Sequence, residues 1–331
     1  MADERIERAR RCLRWVACWL LAGVLGAPWL SAHADSCTVS APTTSFGSVS
    51  PITQAAYTTT STVSVQCTWD AVSVNTAVLV CLNLTGTPRA LTNGANQMQY
   101  DLYKDAGYTQ SWGAVASGTT PMSVTLTRPG LGTSANASLT VYGRIAPSQP
   151  TVPTVNNSST LYSQTFAGNQ ASYSYNFALL GIQLVPCTSQ ASAGTFSYAA
   201  NATVVNNCFI SATNVAFPAA GVLASPLTAT GSISAQCTNG DAYMIALNGG
   251  GSGNVAARTM QRSGGGGAVG YQLYQDAGFT TPWGDGTGGT SMATGTGSGV
   301  AQSITVYGRV PAQTTPAPGS YSDTITATIS F

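Results

Sequence analysis

Gly319-Ser-Tyr-Ser-Asp-Thr-Ile-Thr-Ala-Thr-Ile-Ser-Phe331 closes the sequence, and its last eight residues alternate strictly. Ile325, Ala327, Ile329 and Phe331 fall on one face, and Thr324, Thr326, Thr328 and Ser330 on the other. Such period-2 alternation predicts a strand with one face in a core. The stretch ends on an aromatic residue with no turn and no partner strand after it. The expectation is a sheet whose edge waits for another segment.

The N-terminal stretch reads differently. Five arginines precede an apolar run from Trp15 to Leu30, and Ala32-His33-Ala34 supplies small residues at the cleavage positions. This predicts a secretory signal over residues 1–34, cut before Asp35. Cys12, Cys18, His33 and both glutamates leave with it. Residues 35–331 hold seven cations against eight aspartates, a net charge of −1. No basic patch remains for a phosphate backbone, so nucleic acid is not expected as a partner.

The same long stretch is rich in Thr, Ser, Ala, Gly, Val and Asn and shows no helical periodicity. Short alternating runs between Gly, Pro, Asn and Ser clusters predict an all-β sandwich or barrel. The chain also matches itself at an offset of roughly 171 residues. Tyr100-Asp-Leu-Tyr-Lys-Asp-Ala-Gly107 answers Tyr271-Gln-Leu-Tyr-Gln-Asp-Ala-Gly278. Leu139-Thr-Val-Tyr-Gly-Arg144 answers Ile304-Thr-Val-Tyr-Gly-Arg309, and Tyr162-Ser-Gln-Thr-Phe166 answers Tyr321-Ser-Asp-Thr-Ile325. The repeat predicts two modules of one kind, over residues 35–187 and 188–331.

The repeat orders the cysteines, for which 15 pairings are open. Cys37 and Cys67 recur as Cys208 and Cys237, which suggests a bridge within each pair and leaves Cys81 for Cys187. Secretion favours the oxidised state, and no Cys-x-x-Cys pair points to a metal. The copies also differ. Thr195–Val205, an alternating leader, precedes the second copy, whereas the first copy has none and instead continues through Tyr173–Val185.

The leader running into Val205-Asn-Asn-Cys208, the Leu-Tyr-x-Asp-Ala-Gly block, Val-Tyr-Gly-Arg and the Tyr-Ser-Asp-Thr-Ile-Thr-Ala-Thr-Ile terminus resemble the spore coat protein U domain family. That family includes subunits of archaic chaperone–usher pili. The resemblance implies two immunoglobulin-like β-sandwich modules, the C-terminal one lacking its last strand. It implies a periplasmic chaperone that fills the gap first and the next pilin subunit that fills it permanently, with an outer-membrane usher between them. Ile325, Ala327, Ile329 and Phe331 are then the contacts for chaperone and donor strand. A mature N-terminus beginning almost on Cys37 offers no donor strand, which resembles the tip adhesin of such a pilus. The resemblance further implies secretion through the periplasm to the cell surface, with biofilm formation as the outcome. Module one would be completed by residues 173–185 or 195–205. The first is preferred, because Cys187 would pin it to Cys81.

Set against module two, module one carries extra residues around Trp69–Asn75, between Trp112 and Val141, and around Pro150–Val155. Simple alternation of strands puts loops 68–76, 104–121 and 146–160 at one end. Trp69, Val72, Val74, Pro121, Met122, Val152, Pro153 and Val155 are the candidates for binding an abiotic or host surface, by burial of apolar area. The bland alternative is that Trp69, Met122 and the loop valines only pack the body. Two other readings are a tip lectin with Tyr57, Trp69, Asp70 and Asn75 lining a sugar pocket, and a coat or matrix protein without a ligand.

Catalysis is not expected. Without histidine there is no Ser-His-Asp or Cys-His unit. Asp105 and Asp276, the best repeated carboxylates, each precede Ala-Gly, where aspartate commonly builds a turn. The runs Gly249–Gly253 and Gly264–Gly267 match no phosphate-binding spacing. No cofactor is expected.

Overall fold

The computed structural model describes residues 34–331 apart from 87, 131, 180 and 181. The predicted secretory signal, with His33, Cys12 and Cys18, lies outside the described residues except for Ala34. The rest is two β-sandwiches in series. In module one the strands are β1 (Ser36–Ser40), β2 (Thr44–Val49), β3 (Tyr57–Thr68), β4 (Ala77–Leu84), β5 (Arg89–Asn93), β6 (Asn96–Tyr103), β7 (Met122–Thr127), β8 (Ser134–Ile145), β9 (Thr160–Phe166) and β10 (Ala171–Ala178). Short β11 (Gly194–Thr195) and β12 (Tyr198–Val204) lead to module two. Module two holds β13 (Cys208–Ala212), β14 (Leu227–Cys237), β15 (Ala242–Leu247), β16 (Arg258–Arg262), β17 (Ala268–Tyr274), β18 (Ala293–Thr296), β19 (Gln302–Val310), β20 (Tyr321–Ser322) and β21 (Ala327–Ser330).

Each module packs a large sheet on a small one. The large sheet of module one runs β1-β3-β8-β6-β5-β9-β12-β2 and the small one β11-β10-β4-β7. In module two the large sheet runs β13-β14-β19-β17-β16-β20 and the small one β18-β15-β21. Alternating residues from both inner faces fill each core: Val63, Val65, Val78, Val80, Leu82 and Leu102 in the first, Ile233, Ile245, Leu247, Leu273 and Val306 in the second. A tryptophan sits at the centre of each. Trp112 and Trp283 are fully buried and donate their indole N–H groups to the carbonyls of Leu82 and Ile245, both at 2.8 Å. Satisfying that one polar atom lets so large a ring lie wholly inside.

The disulfides are Cys37–Cys67, Cys81–Cys187 and Cys208–Cys237. The first and third join residues directly opposite each other on β1 and β3, and on β13 and β14. Asp105 and Asp276 build turns. The Asp105 carboxylate accepts the amides of Thr109 and Gln110, and Asp276 those of Thr280 and Thr281. These bonds hold both carboxyls below the usual carboxylate range.

Two expectations need correction. First, Tyr173–Val185 is not spare material that closes module one. Its strand part, β10, is the counterpart of β21: Tyr173 lies opposite Leu82 on β4 as Ile329 lies opposite Ile245 on β15. The residues between Phe166 and Ala171 hid the match, since only Thr326 separates Ile325 from Ala327. The segment that completes module one is the leader of module two, as β12. It pairs antiparallel with β9 and parallel with β2, 154 residues separating Thr44 from Tyr198. The Cys81–Cys187 bridge ties down the small sheet instead, on the other side of the core.

Second, the three module-one loops do not share an end. The Asp105 turn folds the chain back, so that the Trp112 amide meets the Leu102 carbonyl at 2.8 Å. That reversal is one more than simple alternation counts. Loop 146–160 therefore falls at the end opposite to loop 69–76, since Tyr57 pairs with Ile145 at one end of β3 and Thr68 with Ser134 at the other.

Candidate functional site

Module one shows what its groove holds. Along β12, Tyr198, Ala200, Ala202 and Val204 are at most 1 % exposed and point inward, between β9 and β2. Small residues at the centre fit beneath the facing sheet, and an aromatic residue anchors the start of the strand. Ahead of it, Phe196 stacks on Trp112, and Tyr198 meets the same indole edge-on with centroids 5.2 Å apart. The Tyr198 hydroxyl bonds Thr44 and Ser61, and burial pushes its pKa up.

The equivalent place in module two is an open groove of about 950 Å³. One wall is Ala212–Gly221, the other Thr315–Ile325, and Ile233, Leu247, Met260, Leu273, Val306 and Val310 form an apolar floor. The walls differ from those of module one in a telling way. Residues 44–49 form strand β2 against β12, whereas 215–220 form no strand. The seven-residue β9 also has only the two-residue β20 as its counterpart. A strand with no neighbour to take its amides and carbonyls loses its ladder, so both walls relax where no strand lies between them.

Of the residues expected to receive a partner strand, Ile325 and Ala327 line this groove. Ile329 instead faces the core from β21, and Phe331 is 46 % exposed beyond it; neither lines the groove. Asp323 pins the wall nearby: its carboxylate accepts the Tyr271 hydroxyl at 2.7 Å and the Gly251 amide at 2.8 Å. Burial and this carboxylate together push the Tyr271 pKa up. Beneath, Arg258 is fully buried, and burial lowers its pKa.

The second surface is the end of module one remote from module two, where loop 69–76, Arg128 and Gly132, and the residues that follow Ala178 lie. Val72 and Val74 stand 86 % and 72 % exposed there. The loop carrying them is braced: Asp35 accepts the Asp70 amide at 2.8 Å, the Ser73 hydroxyl at 2.6 Å and the Asn75 amide at 2.7 Å. Arg128 donates to the Ser73 and Gly132 carbonyls. Burial alone would raise the Asp35 carboxyl, but those hydrogen bonds and the Arg128 charge outweigh it and hold it low. Leu179, Ile182 and Val185, all exposed, follow β10 into the same end. Sequence reasoning spent them on a completing strand and so missed them. The signal was the apolar run continuing past Gly181 towards Cys187.

The other loop candidates sit elsewhere. Trp69 is 2 % exposed and packs edge-on against Phe177, and Met122 and Val152 are buried in the same core. Bulky apolar side chains beside the sandwich interior gain more there than in water. Pro121 is half-buried at the start of β7. Pro153 and Val155 belong to loop 146–160, which docks on module two. Pro153 bridges Asn239, Thr154 bonds Asp241, and Asn157 exchanges two hydrogen bonds with Ala242, at 2.9 and 3.0 Å. The lectin set does not converge either: Tyr57 and Thr68, next to Trp69, mark opposite ends of β3. At 3.3 Å per residue that is roughly 36 Å.

The chain is thus a tandem of two immunoglobulin-like sandwiches, one holding the adjoining segment as a strand and the other open at the same place. The chain belongs to the Spore Coat Protein U domain family, whose model matches residues 28–165 and 194–328. The second match begins at the leader, which in space lies in module one. Protein U of Myxococcus xanthus is 36% identical over 111 residues, 32% of this chain and 61% of that protein; the chain thus spans about three fifths of its length. Among solved structures, the chaperone–tip adhesion subunit pre-assembly complex CsuC–CsuE of archaic Csu pili of Acinetobacter baumannii aligns over 89% of this chain and 100% of that one, at 16% identity and a TM-score of 0.47. The CupB6 tip adhesin of Pseudomonas aeruginosa aligns over 83% and 86%, at 8% identity and a TM-score of 0.35.

Proposed function

We propose that this protein is the tip subunit of a surface pilus built by the chaperone–usher pathway. One observation carries the reading: the groove that β12 fills in module one is open in module two. Module two takes a strand there, first from a periplasmic chaperone and then, at the outer-membrane usher, from the next pilin subunit. Burying the apolar floor under a strand, with main-chain bonds to both walls, explains why such a partner stays.

The tip position is supported by where the leader lies. A segment of the kind that would reach into a neighbouring subunit is here seated in the chain's own module one. Module one, completed by residues 194–204 in place of the boundary at 187, and module two, from Cys208 onward, then divide the labour, adhesion to the first and anchorage to the second. Attachment to abiotic or host surfaces, and so biofilm formation, is assigned to the far end of module one. Val72, Val74, Leu179, Ile182 and Val185 bury apolar area there on a braced scaffold.

The test is export with and without the cognate chaperone, followed by gold labelling of assembled fibres. Aggregated or degraded chain without the chaperone, and label confined to one fibre end, are expected. Abundant soluble monomer without it would reject the acceptor role, and label along the shaft would reject the tip.

A further inference from the structure

In module one the Tyr198 hydroxyl arrives between two others. It bonds Thr44 Oγ1 and, at 3.3 Å, Ser61 Oγ, and these two oxygens lie 2.5 Å apart. Tyr198 is 1 % and Thr44 0 % exposed, so solvent supplies no substitute partner.

The same place in module two carries no hydroxyl side chain; a valine, a glycine and the backbone carbonyls of Thr213 and Asn214 stand there. Alignment of the repeat sets Val215 where Thr44 stands and Gly231 where Ser61 stands, and packing bears out the register. Phe46 lies against Gly143, where a Cβ would come within 2.9 Å of the ring; Phe217 lies against Gly308, where it would come within 2.8 Å. Two residues before each phenylalanine stand Thr44 and Val215. A Cβ on Gly231 would lie 2.9 Å from Val215 Cγ2, so these two positions face each other as Thr44 and Ser61 do. The indole anchor, by contrast, is retained as Trp283.

We propose that the module-two groove selects a partner strand with a hydroxyl-free apolar side chain (Phe, Leu or Val) where Tyr198 sits in module one, and so refuses this chain's own leader. Val215 and Gly231 set that choice. The inference rests on the acceptor role of module two. A tyrosine placed there loses both hydroxyl partners it has in module one and meets a valine, with only the Thr213 and Asn214 carbonyls beside Gly231 as acceptors, which costs up to about tenfold in affinity. The arrangement keeps the leader for module one and stops copies of the chain from capping one another through it.

The experiment uses the chain from Asp35 to Phe331 and fluorescent peptides of Thr195–Val205: the native one, Tyr198→Phe and Tyr198→Leu. The Phe and Leu peptides are expected to bind up to about tenfold more tightly than the native peptide. Val215→Thr should narrow that gap, and Val215→Thr with Gly231→Ser should close or reverse it. Equal binding of all three peptides would overturn the selectivity while leaving the groove an acceptor. No binding by any of them would overturn the acceptor reading, and the selectivity with it. An unchanged gap in Val215→Thr would overturn the assignment to this pair. Should the double variant misfold, the peptide series on the unaltered chain and the near-isosteric Val215→Thr decide.

Discussion

The rings of Phe196 and Trp112 lie stacked, centroids 6.3 Å apart and planes within 9°. One belongs to the leader of module two and the other to the core of module one. The contact makes module one dependent on sequence that precedes its neighbour.

Phe196→Ala should therefore destabilise module one although it lies past residue 187. Removing a ring only 7 % exposed is expected to cost about 3–5 kcal/mol. Denaturant unfolding with probes in each module checks this: the module-one transition should fall and that of module two stay put.

The disulfides should differ in weight. Cys81–Cys187 closes a loop of 106 residues and Cys37–Cys67 one of 30. Chain entropy gives about 5 kcal/mol for the first and roughly 3.6 kcal/mol for the second. Paired Cys→Ser variants, unfolded in urea, should show the larger loss for the long loop.

Acidity should strengthen the joint between the modules. Burial pushes the Asp241 carboxyl above its usual value, with the Thr154 bond only partly offsetting it, and Asp241 Oδ2 has no partner. The folded state thus holds the proton more tightly than the unfolded one. The contribution of this group to stability is then greatest below about pH 3.8, the unfolded value, and declines as pH rises through the raised folded pKa. Asp241→Asn should remove that contribution, so that the difference in unfolding midpoint between wild type and variant shifts against the wild type as pH rises from about 3 to 7.

Val72→Asp together with Val74→Asp should leave stability within about 0.5 kcal/mol, because both side chains already face solvent. Adhesion to polystyrene should fall by about tenfold or more, since burying each valine is worth about 1.5 kcal/mol or more. Raising salt should change wild-type adhesion little. Full adhesion by the double variant would remove this loop from the binding surface.

Much of this architecture is written locally. The repeat of Leu-Tyr-x-Asp-Ala-Gly marks a turn whose aspartate binds amides four and five residues on, a range a sequence displays directly. The recurring cysteines 30 and 29 apart sit opposite each other because a strand and its neighbour return in the same register in both modules. The alternation at 324–330 likewise marks which side chains face inward, Phe331 alone falling outside the core.

The chain by itself thus determined two modules of one kind, the faces of their strands and the positions of their turns. Only the tertiary structure decided which strand enters which groove and which loops share an end. Alternation says which way a side chain points but not which backbone takes its amides, and β12 finds its partners at residues 160–166 and 44–49. Loop placement depends on the total number of chain reversals, so the single fold-back at Asp105 moved loop 146–160 from the exposed end to the joint.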